Sequence, residues 1–385
     1  MPMAVRVPSR QRARRQAVRV EPRCLHARRR GPLRRTACIR DQRARRWSAT
    51  EPSRRARALL PHCARSTRHA TAAAGGHWRM LLAVRAAHAV VVRLTGPVRT
   101  GPLEITDLLW STDDEGNRTE VDRDSLTVAL LSRGQSRAAR IVQRMPAVDG
   151  RIDNEYVDRL GLRVHCELQR LSEELQLGRR VAELLGQTVG RLHAAGIEPV
   201  RVVDVGCGLG HVIRSMAAHR AFDGDVELVG VDLNPALVQE ASRLAAAESL
   251  DCRFICGDAL RPGVAVEEGR RTIVISTGLM HHLSDAELVD FFAGQANLEV
   301  AAFAHWDIAP SLWSTLGAWV FHQARMREPV SRHDGVLSAR RAHPSAVLLH
   351  AAHAGAPNYA LEDHEGSRWH PRAIDVLRPI LGTRT

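Results

Sequence analysis

The stretch RVVDVGCGLGHV, residues 201–212, is an apolar run that breaks into three glycines at alternate positions. A continuous apolar run of this length reads as a strand buried on both faces, as in a parallel sheet. Bare backbone straight after it marks a place that something approaches closely. The candidate visitors are a dinucleotide, a nucleoside triphosphate, or a nucleoside that carries no phosphate.

Two of these fail on the residues present. A phosphate-cradling loop of the form G-x-x-x-x-G-K-[ST] needs lysine, and all 55 basic residues of the chain are arginine. A dinucleotide fingerprint, G-x-G-x-x-G, counted from Gly206 requires a third glycine where His211 stands. The spacing present is Asp204, Gly206, Gly208, Gly210. An acid two residues ahead of the first glycine repels a pyrophosphate and attracts an ammonium or sulfonium cation.

Downstream the chain alternates. PVRVVDV, VELVGVD, CRFICGD, RTIVIST and EVAAFAHWD read as strands, with GHVIRSMAAHR, PALVQEASRLAAAESL and DAELVDFFAGQAN as helices between them. Repeated βα units predict an α/β fold, a Rossmann-like, doubly wound and mainly parallel sheet with right-handed crossovers. Ligands of such sheets sit beyond the carboxyl ends of the strands.

Residues 200–306 resemble a class I S-adenosylmethionine-dependent methyltransferase, in four ordered parts: DVGCGLG, VGVDLNP, CGDAL and ISTGLMHHLSD. Two further segments, VHCELQRLSEELQLGRRV at 164–181 and residues 321–343, resemble a subset of uncharacterised bacterial members. The resemblance implies S-adenosyl-L-methionine as cofactor and methyl transfer to a small-molecule acceptor. It implies Asp204, Gly206, Cys207, Gly208 and Gly210 around the methionine portion, and Asp232 with Leu233 at the ribose. Asp258 with Ala259 would face the adenine, and Thr277 would lie toward the methyl. His281, His282 and Asp307, after the fourth and fifth strands, are the catalytic candidates, and no metal is expected. Each acid has a plainer reading. Asp232 can cap the helix at Asn234–Pro235, Asp258 can close a turn, and Asp307 can cap a helix starting near Pro310–Ser311. The two histidines can simply satisfy backbone groups.

Other functions stay open: an RNA or protein methyltransferase, or an S-adenosylmethionine-binding protein without turnover. Against a nucleic-acid substrate, STGLMHH stands where adenine-N6 enzymes of the family carry an Asn/Asp-Pro-Pro-aromatic motif, and no catalytic Pro-Cys is present.

The net charge of +13 comes from the first quarter of the chain: residues 1–100 hold 25 arginines against three acids, the remainder 30 against 39. Arginine without lysine, beside abundant alanine and proline, points to base composition rather than to nucleic-acid contacts. Residues 1–79 are therefore expected to be a disordered Arg-rich extension. Residues 80–198 are expected to form an N-terminal hairpin plus a helical cap, with the hairpin over 103–121, a helix over 125–145 begun by Asp124 or Ser125, and a helical stretch over 154–194. Residues 199–385 form the cofactor-binding domain. Its end departs from the family pattern, since PNYALED suits a sixth strand but RWHPRAIDVLRPILG reads poorly as a seventh. His333 and Asp334 read as a solvated turn or as a loop poised over the site, and Trp306, Trp313 and Trp319 as core or as an aromatic wall. Cys252 and Cys256 are expected to pack beside their strand. Seven cysteines without zinc-ligand pairing suit a cytoplasmic location. The apolar run at 80–94 is too short to span a bilayer. No membrane association is expected, and the oligomeric state is not legible.

Overall fold

The computed structural model describes residues 102–110, 118–265, 271–363 and 377–385. The predicted extension over 1–79 and the apolar run at 80–94 lie outside them.

The first described elements are short helices. Residues expected to form one arm of a hairpin are instead helix α1, Ile105–Leu109. Ile105, Leu108 and Leu109 are buried at helical spacing. Its amino end is satisfied from far away: the Asp334 carboxylate accepts from the Ile105 and Thr106 N–H groups at 3.0 and 2.9 Å. A five-residue helix gains little from its own hydrogen bonds, so this distant cap decides its structure. Helix α2, Arg123–Ser132, and helix α3, Ser136–Val142, replace the single predicted helix, which breaks at Gly134 with φ of 73°. Asp122, two or three residues earlier than expected, is the cap that accepts from the Ser125 N–H at 2.7 Å. The hairpin falls later, as β1, Ala147–Val148, and β2, Arg151–Ile152. Its two-residue turn is Asp149–Gly150, both at positive φ, the chemistry a tight hairpin demands. Helix α4, Asn154–Glu174, and helix α5, Leu177–Ala194, divide the second predicted stretch at Gln176, which turns left-handed at φ 51°.

The sheet then begins with β3, Val200–Val205, wholly buried. It continues through α6 (His211–His219), β4 (Val226–Asp232), α7 (Pro235–Ala247), β5 (Arg253–Cys256) and β6 (Arg271–Thr277). Helix α8 (Asp285–Asn297) leads to β7 (Ala302–Ile308), and α9 (Leu312–Arg325), α10 (Pro329–Arg341) and α11 (Ser345–Gly355) follow. Strands β8, Tyr359–Asp363, and β9, Leu377–Arg384, close the chain.

The strand order is β5-β4-β3-β6-β7-β9-β8, parallel from β5 to β7 and antiparallel at β9 and β8. Both terminal strands are therefore present, which corrects the poor reading of the seventh. Pro379 and Gly382 obscured β9 in the sequence. Gly382 has a packing reason: a Cβ there would meet the Phe303 ring at 2.2 Å.

Side chains of β3 alternate between two cores. Val200 and Val202 pack with α5, α6 and α7, whereas Val203 and Val205 pack with α8 and α11. A third cluster joins α1 to α4 with Val330 of α10. His333 and Asp334, expected in a solvated turn, are on α10, and Asp334 is buried. Trp306 is core, whereas Trp319 is half exposed; Cys256 is exposed rather than packed, and Cys252 is partly covered.

Candidate functional site at the carboxyl edge of the sheet

The strand order reverses between β3 and β6, so the loops leaving them diverge and open a crevice at their carboxyl ends. Gly206, Gly208 and Gly210 all adopt positive φ, 73°, 55° and 70°, a conformation glycine reaches without strain. Their missing side chains also admit neighbours. A Cβ on Gly206 would meet Leu279, in the loop after β6, at 3.2 Å; one on Gly208 would meet the His165 ring of α4 at 2.7 Å. The helical cap thus reaches the glycine loop through His165, a contact no local sequence signal announced.

Two carboxyl groups end the neighbouring strands. Asp232, last in β4, accepts from the Gly208 N–H through Oδ2 at 2.8 Å and from the Asn234 N–H through Oδ1 at 2.9 Å. It therefore fixes the shape of the glycine loop. The cap of α7 is Asn234, not Asp232. Asp204 is 1% exposed and its Oδ1 has no hydrogen-bond partner. Burial, with the Asp232 charge added, pushes its carboxyl up to about 8. Burial likewise pushes the Cys207 thiol up, so it stays protonated. Asp258 holds a turn, accepting from the Leu260 N–H at 2.9 Å and facing Arg261 at 3.1 Å. Leu233 is exposed, Ala259 packs partly on the core, and Thr277 ends β6 beside Trp306.

The second half of the site follows β6 and β7. His281 and His282 lie in a short 3-10 turn, Met280–His282, with ring centroids 4.2 Å apart. Asp307 accepts from the His281 N–H and from its ring Nδ1, both at 2.7 Å, and from the Ile308 N–H at 2.7 Å. Burial opposes ionisation of Asp307, but His281 and these donors outweigh it and hold the carboxyl low. An ionised carboxylate only accepts, so the neutral His281 ring carries its proton on Nδ1. Asp307 does not cap α9; Ser311 does, through a capping box with Ser314. His305, on the same face of β7, is structural. Burial pushes it down to about 3, and its two nitrogens are taken by Ser276 at 2.9 Å and Gln295 at 3.1 Å.

His282 faces the cap. Its Nδ1 donates to Asp107 Oδ1 at 2.8 Å and lies 3.8 Å from Glu104 Oε2. Burial works against the charged ring, but Asp107 and Glu104 raise it to about 9. Arg341 of α10 completes the group, 2.8 Å from Asp107 and 3.3 Å from Glu104. Glu104, Asp107 and Arg341 escaped the sequence reading. The first two belong to a segment misread as a strand; Arg341 lies in the Arg- and His-rich stretch that was singled out without a role. An open groove of about 600 Å³, lined by Arg191, Arg271, Glu299 and Arg384, lies at the opposite end, where β6 starts.

Residues 202–298 match the family described as "Methyltransferase domain". They form a methyltransferase domain. The ajmaline N-methyltransferase of Rauvolfia serpentina is 31% identical to this chain over 121 residues, 30% of this chain and 40% of that protein. The chain thus spans well under half of the curated relative it matches. Among solved structures, the methyltransferase domain is similar to the plantazolicin methyltransferase BamL, at 12% identity and a TM-score of 0.41, over 60% of this chain and 100% of that one. It is also similar to magnesium protoporphyrin IX methyltransferase from Synechocystis PCC 6803, at 17% identity and a TM-score of 0.35, over 69% and 100%. Among the described residues no helix is long and apolar enough to cross a membrane.

Proposed function

We propose that this protein catalyses S-adenosylmethionine-dependent methyl transfer to a small-molecule acceptor. The observation that carries the proposal is the carboxyl pair at the glycine loop. Asp204 is a buried acid with an orphaned oxygen, and Asp232 stands beside it at the end of β4. A buried carboxyl without a partner is costly unless a ligand answers it. A cationic nucleoside does so, and a pyrophosphate does the reverse.

Bound S-adenosylmethionine supplies a methyl group already activated on a sulfonium. The protein's work is alignment and exclusion of water. Asp204 would neutralise the ammonium end. Asp232, each oxygen of which retains a lone pair after its backbone bond, would accept from the ribose. Asp258 and Ala259 would border the base, with Cys207, Leu233 and Thr277 completing the lining. On the acceptor side Asp307 fixes the His281 ring by Nδ1, and Asp107 fixes His282 in the same way. The His281 ring would receive the acceptor's proton where it carries one, and His282, which its two acids keep protonated, would hold the acceptor at the end of β6. A small-molecule acceptor is supported by the name of the ajmaline N-methyltransferase.

The test is transfer of labelled methyl from S-adenosylmethionine into a cell-extract metabolite fraction. Label in small molecules that is lost with Asp232→Ala supports the proposal. Label found only in RNA or protein would replace the acceptor class, and donor binding without any label would leave a binding protein.

A further inference from the structure

Glu104, His281 and His282 come from two distant segments, the start of α1 and the turn after β6. One ligand-type atom from each lies within 4.8 Å of the others. We propose that they form a site for a divalent first-row transition cation, such as zinc, at the acceptor end of the sheet.

Three observations support it. First, the donor set is two imidazoles and one carboxylate, a combination that suits borderline cations and leaves coordination positions open. Second, both rings are held from behind. His281 Nδ1 meets Asp307 at 2.7 Å and His282 Nδ1 meets Asp107 at 2.8 Å, which leaves an Nε2 on each ring. A carboxylate on the far nitrogen is the arrangement that orients metal-binding histidines. Third, the rings sit among acids. Glu104, Asp107 and Asp307 surround the two rings, and Arg341 pairs with Glu104 and Asp107. The other groups facing Glu104 are already engaged. Ser338 Oγ donates to it at 3.0 Å, and Asp334 is spent on the amino end of α1 and on His333. Glu104 and His281 are almost wholly buried, whereas His282 is 28% exposed, so the cluster opens to solvent on one side.

The role of the cation rests on the proposed function. Held beside the acceptor, it would bind an acceptor oxygen and lower its pKa, so that the hydroxyl proton passes to water on the exposed side; the oxygen then takes the methyl and the sulfonium leaves as a neutral thioether. It would do by charge what a basic histidine does by proton transfer. Binding itself is independent of that reading.

Cobalt(II) alone, titrated into the full chain, tests the site by its visible absorption. One equivalent should bind with the d–d band of nitrogen and oxygen ligation. Glu104→Gln, which preserves size and the Ser338 bond, should weaken it at least tenfold, and so should His282→Gln. Calorimetry with S-adenosylmethionine should be unchanged in Glu104→Gln, which marks an intact fold and separates this test from that of the donor site. If His282→Gln loses donor binding as well, Glu104→Gln alone decides. Cobalt bound equally well by Glu104→Gln, a thiolate-to-cobalt charge-transfer band, or no stoichiometric binding by the parent would each overturn the proposal.

Discussion

Asp204 combines deep burial with an unpartnered oxygen, and burial together with Asp232 raises its carboxyl to about 8. Near neutral pH it therefore holds a proton until a cation arrives. Donor binding should then release a proton, about one near pH 7 and none well above pH 9. Calorimetry in buffers of different ionisation enthalpy measures this, and Asp204→Asn should abolish it. On the acceptor side, His281→Ala and Asp307→Asn should each lower kcat by about 10²–10⁴-fold and leave the KM for donor nearly unchanged. Steady-state kinetics with an identified acceptor checks the split. An equal fall in donor affinity would mean that the pair merely holds the loop.

At the scale of elements, α10 organises the cap. Its Asp334 supplies the amino end of α1, its Arg341 pairs with Asp107, and Glu167 of α4 accepts from the Arg327 and Glu328 N–H groups just before it starts. Asp334→Ala should cost about 1–2 kcal/mol, the upper part of the range for a lost helix cap, measured by denaturant unfolding. It should also lower activity, because α1 carries Glu104 and Asp107. These links explain what was legible. Helices and strands from 200 to 308 were read correctly because each has a local signature: apolar runs, a glycine turn, Asn234–Pro235, Ser284 three residues ahead of Glu287. Helix α1 was missed because its cap lies 229 residues away. The hairpin's own signal, Asp149–Gly150, is only two residues long and is outweighed in the sequence by the richer turn composition of 111–117. Strand β9 reads poorly in the sequence, where Pro379 and Gly382 interrupt its apolar run; the reason for Gly382 is the ring of Phe303 across the sheet. Gly382→Ala should therefore destabilise the sheet by about 1–3 kcal/mol.

For the whole molecule, the same features predict a pH dependence. The folded state keeps the Asp204 proton up to about pH 8, whereas the unfolded chain loses it near the ordinary value of 3.8. The unfolded state binds fewer protons across that window, so this residue's contribution to stability falls as pH rises through it. Asp204→Asn should accordingly raise the melting temperature of the donor-free protein, more at pH 8 than at pH 5, while weakening donor binding. Stability given up at a ligand site in this way is a common exchange. His305 acts at the other end of the scale: its folded ring resists protonation down to about 3. Stability should therefore also decline as pH falls below about 6.5, where the unfolded histidine gains its proton.

The central claim is electrostatic: carboxyl groups on adjacent strand ends, Asp204 and Asp232, make a seat for a cationic nucleoside. Calorimetric titration of the full chain with S-adenosylmethionine, beside Asp232→Ala and Asp204→Asn, tests it most directly. The account predicts one-to-one binding by the parent chain and at least a tenfold loss in each variant. Binding of equal strength in all three proteins would contradict it.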